Sequence, residues 1–300
     1  MEVQATTAPW GRIVTTVGFL LALVAQPGCA TLSDPSMKTV PLGWRNRHPW
    51  GPEANAARDA GTLGYRNYTA KMACWAEFAR QHLQDGDVLF RRGRSVGPLG
   101  NAASRFIANI TDSPFSHDAI VCWQGDSVWI YDAEAEGTRK MPFEVWMLDV
   151  ADETLAVKRL HPEYRDRIPV ALAYCEGIYQ RNLPFDRAFG VDDTEFYCSE
   201  LIEKAFRAAG LCLSEAVPIR CLPNYARWRW IMPLGALTRG LRVDTPIFVP
   251  GNESYGTYAS PYLETVYVTD CVSQSLQARR GPSCYGSLPV ASLGECAQPR

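Results

Sequence analysis

The chain has 300 residues, 30 Lys+Arg against 32 Asp+Glu, and is 47% hydrophobic and 11% aromatic; this is enough apolar surface for one core or two small ones and excludes a disordered, collagen-like or coiled-coil protein. A net charge of -2 gives no electrostatic footprint for nucleic acid, so no such partner is expected. Ten cysteines are many for a reducing compartment, yet no Cys-x-x-Cys pair and no His-Glu-x-x-His motif gathers ligands, so neither a metal nor another cofactor is expected.

After Arg12, the uncharged residues from Ile13 to Ala25 lead into Gln26-Pro27-Gly28-Cys29-Ala30. A short basic region, an apolar region and a small-residue exit read as a secretory signal. A helix of that length spans about 20 Å, short of the roughly 30 Å hydrocarbon core, so a permanent span is the poorer reading. Cys29 stands where a bacterial lipoprotein signal carries its acylated cysteine, although Gln26 and Pro27 depart from the usual aliphatic and small residues; lipidation of Cys29 and plain cleavage near Ala30 both remain open. Either outcome places the mature chain in an oxidising space, the periplasm or, lipid-anchored, the outer membrane of a bacterium. There Cys74, Cys122, Cys175, Cys212, Cys221, Cys271, Cys284 and Cys296 are expected to pair, with about 105 possible connectivities.

The expected organisation is a signal peptide over 1–29, an irregular lead-in over 30–64, a catalytic domain over 65–235 and a cysteine-containing C-terminal extension over 236–300. Met72, Trp75, Phe78 and Leu83 are spaced for one buried face of a helix between Tyr65 and Gln84. Asp85-Gly86-Asp87 turns into a strand at Val88-Leu89-Phe90, and a helix over 99–109 is stopped by Thr111-Asp112-Ser113-Pro114. Strands over 116–122 and 127–132 flank Gln124-Gly125-Asp126, a hairpin turn. A short helix over 142–148, a strand over 154–160 and helices over 164–180 and 194–209 follow, the last ended by Gly210. Strands in the middle with helices on either side define an α+β domain.

Chemistry concentrates in few residues. Thr194-Glu195-Phe196-Tyr197-Cys198-Ser199-Glu200 places a cysteine in the first turn of a helix that Thr194 could cap, where free N–H groups lower a thiol's pKa and can hold an oxyanion. Asp192, Asp193 and Glu195 act in the opposite sense, so a nearby imidazolium is needed to favour the thiolate, and on composition alone a buried or cross-linked cysteine is the commoner reading. Of the four histidines, His117 opens the strand His117-Asp118-Ala119-Ile120-Val121, where an imidazole can face a helix-borne thiol as proton carrier or be merely structural. Asp132, on the strand paired through the Gly125 hairpin, is the candidate to hold the imidazole by its far nitrogen, with Glu134 second.

Gly86-Asp87-Val88-Leu89-Phe90, Ser116-His117-Asp118-Ala119-Ile120-Val121, Tyr131-Asp132-Ala133, Pro184-Phe185-Asp186 and Phe196-Tyr197-Cys198-Ser199-Glu200-Leu201 resemble, in that order, the landmarks of the permuted papain-like amidases, the circularly permuted branch of the NlpC-type cysteine hydrolases related to lecithin retinol acyltransferase. The resemblance spans roughly residues 84–232. It implies a circularly permuted papain-like fold, a small antiparallel sheet or barrel against helices, with Cys198 as nucleophile, His117 as general base and acid, and Asp132 as orienting group. Relatives often carry Glu at the place of Asp132 and a small apolar residue at the place of Asp118, which changes nothing if Asp118 points outward. The implied activity is a thiol hydrolase or amidase of the bacterial envelope, cleaving an amide in a peptide or cell-wall fragment through an acyl-enzyme. A lipid ester or thioester acted on by the same residues, and a non-catalytic binding lipoprotein, are the alternatives. A long apolar cleft would favour lipid, with Tyr225, Trp228 and Trp230 able to line it or to pack in the core.

Overall fold

The computed structural model describes residues 49–64, 68–93, 102–190 and 192–276. The expected signal segment, Cys29, Cys284 and Cys296 lie outside them. The first elements are the helices α1 (Pro52–Asp59) and α2 (Ala70–His82) and the strand β1 (Val88–Gly93). There follow α3 (Ala102–Ile110), the three-strand meander β2 (His117–Gln124), β3 (Ser127–Glu134) and β4 (Gly137–Pro142), then α4 (Phe143–Trp146) and the long strand β5 (Val150–Leu160). Helices α5 (Ile168–Gln180) and α6 (Cys198–Ala208) come next, then the paired short strands β6 (Val217–Pro218) and β7 (Pro246–Ile247), and β8 (Leu263–Val268).

The strands build one six-stranded sheet in the order β4-β3-β2-β1-β5-β8, every neighbouring pair antiparallel. The sheet is open, with β4 and β8 at its edges, so of the two forms expected it is the sheet and not a closed barrel. Side chains alternate across it. Ile120 and Cys122 of β2 join Phe90 and Tyr131 in a core shared with Cys175 of α5 and Leu201, Ile202 and Phe206 of α6. Ala119 and Val121 join Leu89 and Ile130 in a second core with Met72 of α2 and Trp146 of α4. The sheet thus lies between two helical layers, α5 and α6 on one face, α2 and α4 on the other.

Local chemistry explains the landmarks. Thr69 caps α2 by accepting from Met72 N–H at 3.3 Å, and Met72, Ala76 and Ala79 form its buried stripe. Gly86 sits at φ +79°, and a Cβ there would stand 2.7 Å from Ile168 Cγ1, so the turn into β1 accepts only glycine without displacement. Asp87 is wholly buried, where it accepts from Gln84 N–H at 2.8 Å and from Arg159 Nε and Nη2 at 2.7 Å each, tying the turn to β5.

Several expectations are corrected. The lead-in contains α1, whose buried Asn55 donates to Lys140 O at 2.8 Å and so joins it to β4. Strands β4 and β8 carry little hydrophobic alternation and were not foreseen. The segment expected as a C-terminal extension, 236–300, contributes β7 and the sheet-edge strand β8. Helix α6 starts at Cys198, not at Thr194; Thr194 Oγ1 donates instead to Asp192 Oδ1 at 2.6 Å, and the cap position is held by Tyr197 in extended conformation without a side-chain bond. Cys74, Cys122 and Cys175 are free thiols, which removes three members of the expected cross-linked set. No helix among the described residues is long and apolar enough to cross a membrane.

Candidate active site

The approach to α6 is fixed by the Pro184-Phe185-Asp186 landmark. Phe185 forms a bridge with Phe196; Asp186 N–H donates to Phe196 O at 3.1 Å and Phe196 N–H to Pro184 O at 3.0 Å. Asp186, itself buried, accepts from Ala188 N–H at 2.7 Å and holds the intervening loop. Tyr197 accepts from Phe248 N–H at 2.7 Å through its hydroxyl. The chain is therefore pinned on both sides of the point where α6 begins, and Cys198 is its first residue, 9% exposed. N–H groups of the first turn have no partner within a helix, so the sulfur lies beside ready oxyanion donors.

Cys198 opens on a cavity of about 80 Å³. Its wall is almost wholly apolar, with Phe106 and Ile110 of α3, Ile219, Met232, Ile247 and Phe248 among the lining residues. Much of that wall comes from residues 216–255, which also form the third apolar cluster of the molecule. The sequence carries no signal for it, because the contributing residues are scattered over short elements with no period. Tyr225 and Trp228 pack against this cluster, while Trp230 is exposed.

His117 and Asp132 meet directly, Nε2 to Oδ2 at 2.8 Å. The shorter Asp side chain reaches the ring without an intervening group. Asp132 is wholly buried and also accepts from Arg139 Nε at 2.8 Å, Arg139 Nη2 at 2.6 Å and Trp146 Nε1 at 2.9 Å. Burial alone would raise its pKa, but the Arg139 guanidinium outweighs that and holds the carboxyl far below the usual range. Arg139 is its register partner on β4, a position that sequence reading passed over because β4 itself went unrecognised. Glu134, the second candidate for the orienting role, pairs with Arg139 Nη2 at 2.5 Å and Arg91 Nη2 at 3.5 Å instead.

The nucleophile candidate and this relay are not joined by a hydrogen bond. Strand alternation places His117 with Asp132 and Trp146 and turns Asp118 toward α6. Asp118, wholly buried, accepts from Ser199 Oγ at 3.1 Å, and both its backbone N–H and its carboxylate act on the Cys198 thiol. Burial first, and the Asp118 charge second, push that thiol well above its usual pKa.

The donor atoms of His117, Asp132 and Glu134 lie within 4.8 Å of one another, spacing that a metal ion could bridge. The residues do not fit one: the Arg139 guanidinium already sits between the two carboxylates, and a cation would have to displace it and leave a buried arginine charge uncompensated.

An open antiparallel sheet between helical layers, with the cysteine at a helix start following the strand-borne histidine in the sequence, is the permuted form of the papain-like arrangement. Residues 82–218 match the family model of the permuted papain-like amidase enzymes, the YaeF/YiiX or C92 family, and this part of the chain is similar to that family. The crystal structure of "metalloprotein yiiX" from Escherichia coli O157:H7, one of five solved chains that match, is similar in fold, with a TM-score of 0.50 at 20% identity over 63% of this chain and 98% of that one. No curated protein matches the chain in sequence.

Proposed function

We propose that the protein is a thiol hydrolase in which Cys198 attacks an amide or ester carbonyl, His117 carries the proton and Asp132 holds the imidazole. With Nε2 on Asp132, Nδ1 is the nitrogen left to take the thiol proton. As the S–C bond forms, the oxyanion is received by N–H groups at the start of α6, where such donors are worth about 3–4 kcal/mol each. Collapse of the intermediate expels the amine or alcohol with the proton from His117, leaving a thioester on Cys198. Water or another acceptor resolves it. His117 and Cys198 look to opposite faces of β2 in the free protein, so the transfer requires the start of β2 to turn the imidazole toward α6, or a bound water to carry the proton between them, when substrate arrives.

The observation that carries this reading is Cys198 at the first position of α6 on the wall of a cavity. A peptide or cell-wall fragment in the bacterial envelope is the substrate that family likeness suggests. The apolar lining favours the second reading, an acyl group that is itself apolar, as in a lipid ester, a thioester or an acylated peptide. The envelope location, with export and attachment through lipidated Cys29, rests on the N-terminal pattern alone, and Cys212 and Cys221 are the described candidates for cross-linking there. The test is intact and peptide mass spectrometry after brief exposure to muropeptides and, separately, to acyl esters and N-acyl amino acids of graded chain length. A hydroxylamine-labile acyl mass on Cys198, absent in Cys198→Ala and strongly reduced in His117→Ala, is the expected result; absence of any adduct with every substrate class would leave a binding role as the better account.

A further inference from the structure

Outside the His117–Asp132 pair, a buried and incompletely bonded carboxylate, Asp118, lies at the nucleophile. Asp118 is 0% exposed. Its Oδ1 is engaged by Ser199 at 3.1 Å, and its Oδ2 has no hydrogen-bond partner among the described residues. The groups that face it are few. From its own strand it feels the charge of His117; from α6 it meets the Cys198 thiol and the Ser199 hydroxyl; on β1 its register partner is the apolar Phe90. Among the described residues no arginine clamps it as Arg139 clamps Asp132.

We propose that Asp118 sets the charge state of the nucleophile: its ionised carboxylate holds Cys198 as the thiol, and its protonated form permits the thiolate. The inference rests on the reading of Cys198 as nucleophile. The physical reason is that two negative charges cannot both be held in one dry site beside a single imidazole, so ionising either opposes ionising the other. Burial pushes the Asp118 carboxyl up to about 6, which places the exchange within reach of ordinary buffers. The sign follows: below that value the carboxyl is neutral and can donate to the sulfur, and above it the carboxylate repels the thiolate. A small apolar residue at this position would exert no such control.

The experiment is iodoacetamide labelling of Cys198 in the full chain, followed by peptide mass spectrometry from about pH 4.5 to about pH 9.5. Coupled titration gives the wild type a two-step profile: the logarithm of the rate climbs to about pH 6, runs nearly level, and climbs again as the second proton leaves. Asp118→Asn is expected to show one climb only and to label about tenfold or more faster at pH 7, and the alkaline limb of kcat/KM should move upward with it. A merely structural role for Asp118 would leave the shape of the profile unchanged. A single climb in the wild type overturns the proposal, as does a folded Asp118→Asn protein labelling no faster than wild type at pH 7; should the variant not fold, the wild-type profile decides alone. A two-step profile without an acyl-enzyme from any substrate supports the coupling while sinking the hydrolase reading, so the two fail separately.

Discussion

Replacing Arg139 by methionine removes the cation that neutralises Asp132 while keeping much of the side chain's volume. Three charge-assisted bonds go: Nε to Asp132 Oδ1 at 2.8 Å, Nη2 to Asp132 Oδ2 at 2.6 Å, and Nη2 to Glu134 Oε2 at 2.5 Å. Asp132 keeps only His117 and Trp146 Nε1 as partners. Breaking a buried pair by removing one member costs about 3–5 kcal/mol, and for a domain of this size that lowers Tm by roughly 10 °C. The pH dependence identifies the cause. The folded pKa of Asp132 lies far below its unfolded value, so its contribution is fully present above about pH 4 and is lost only as pH falls through the depressed folded value. Without Arg139 burial acts unopposed and the depression disappears. The stability gap between the two proteins should therefore be widest near neutrality and narrow as pH is lowered toward about 3. Urea denaturation followed by circular dichroism at pH 7, 5 and about 3.5 measures this. A gap below about 1 kcal/mol at pH 7, or one that stays constant with pH, would refute the assignment of Arg139 as the charge that fixes Asp132.

Trp146→Phe keeps an aromatic ring but deletes the Nε1–H donor to Asp132 at 2.9 Å and the volume of the indole's five-membered ring at a fully buried position; a loss of at least about 1–3 kcal/mol in denaturant melts is expected, with a decrease in kcat as Asp132 is held less firmly against the imidazole. Gly251→Ala puts a side chain on a residue at φ +75° with its Cβ 1.9 Å from Tyr255 O, so at least about 2 kcal/mol should be lost, and the adjoining cavity wall at Val249 and Pro250 should move with it, seen as a raised KM for acyl substrates. Ile247→Asp places a carboxylate in the apolar lining and should raise KM most for the longest acyl chains, with far-UV circular dichroism checking that the fold survives; equal effects on a polar muropeptide would count against the acyl reading.

The sheet and its flanking helices were legible wherever one side of a strand or helix faces a core. The hairpin of β2 and β3 follows from alternation and Gly125, whose φ of +58° is what a tight turn demands. Strand β4, Gly137-Thr138-Arg139-Lys140-Met141-Pro142, escaped because its inward residue Arg139 is polar, buried for the sake of Asp132 and not for its own hydrophobicity. Strand β8 escaped for a related reason: on a sheet edge, Leu263-Glu264-Thr265-Val266-Tyr267-Val268 buries only Leu263, with Glu264, Thr265 and Val266 exposed. The cysteines misled in a different way. Cys122 and Cys175 are core thiols packed among Ile120, Tyr131 and Ile178, and burial pushes Cys122 up to about 12; such residues serve as small hydrophobic side chains, and composition cannot distinguish them from cross-linking partners.

The site divides along the same line. That His117 and Asp132 share a face follows from strand alternation, but their contact does not follow from register alone: continued past Ile120↔Tyr131 the register sets Asp132 opposite Ala119, and the His117 and Asp132 side chains meet diagonally. The orientation of Asp118 does not follow from sequence, because whether an alternating residue matters depends on what covers the face it points to. Had α6 packed on the α2 side of the sheet, Asp118 would face a layer without the thiol, and His117 would share a face with Cys198. Instead α6 covers the face of Ile120 and Cys122, and the residue directly beneath its start is the carboxylate. A substitution that is silent on one face of a strand becomes, by a shift of one residue, the charge that the nucleophile must contend with.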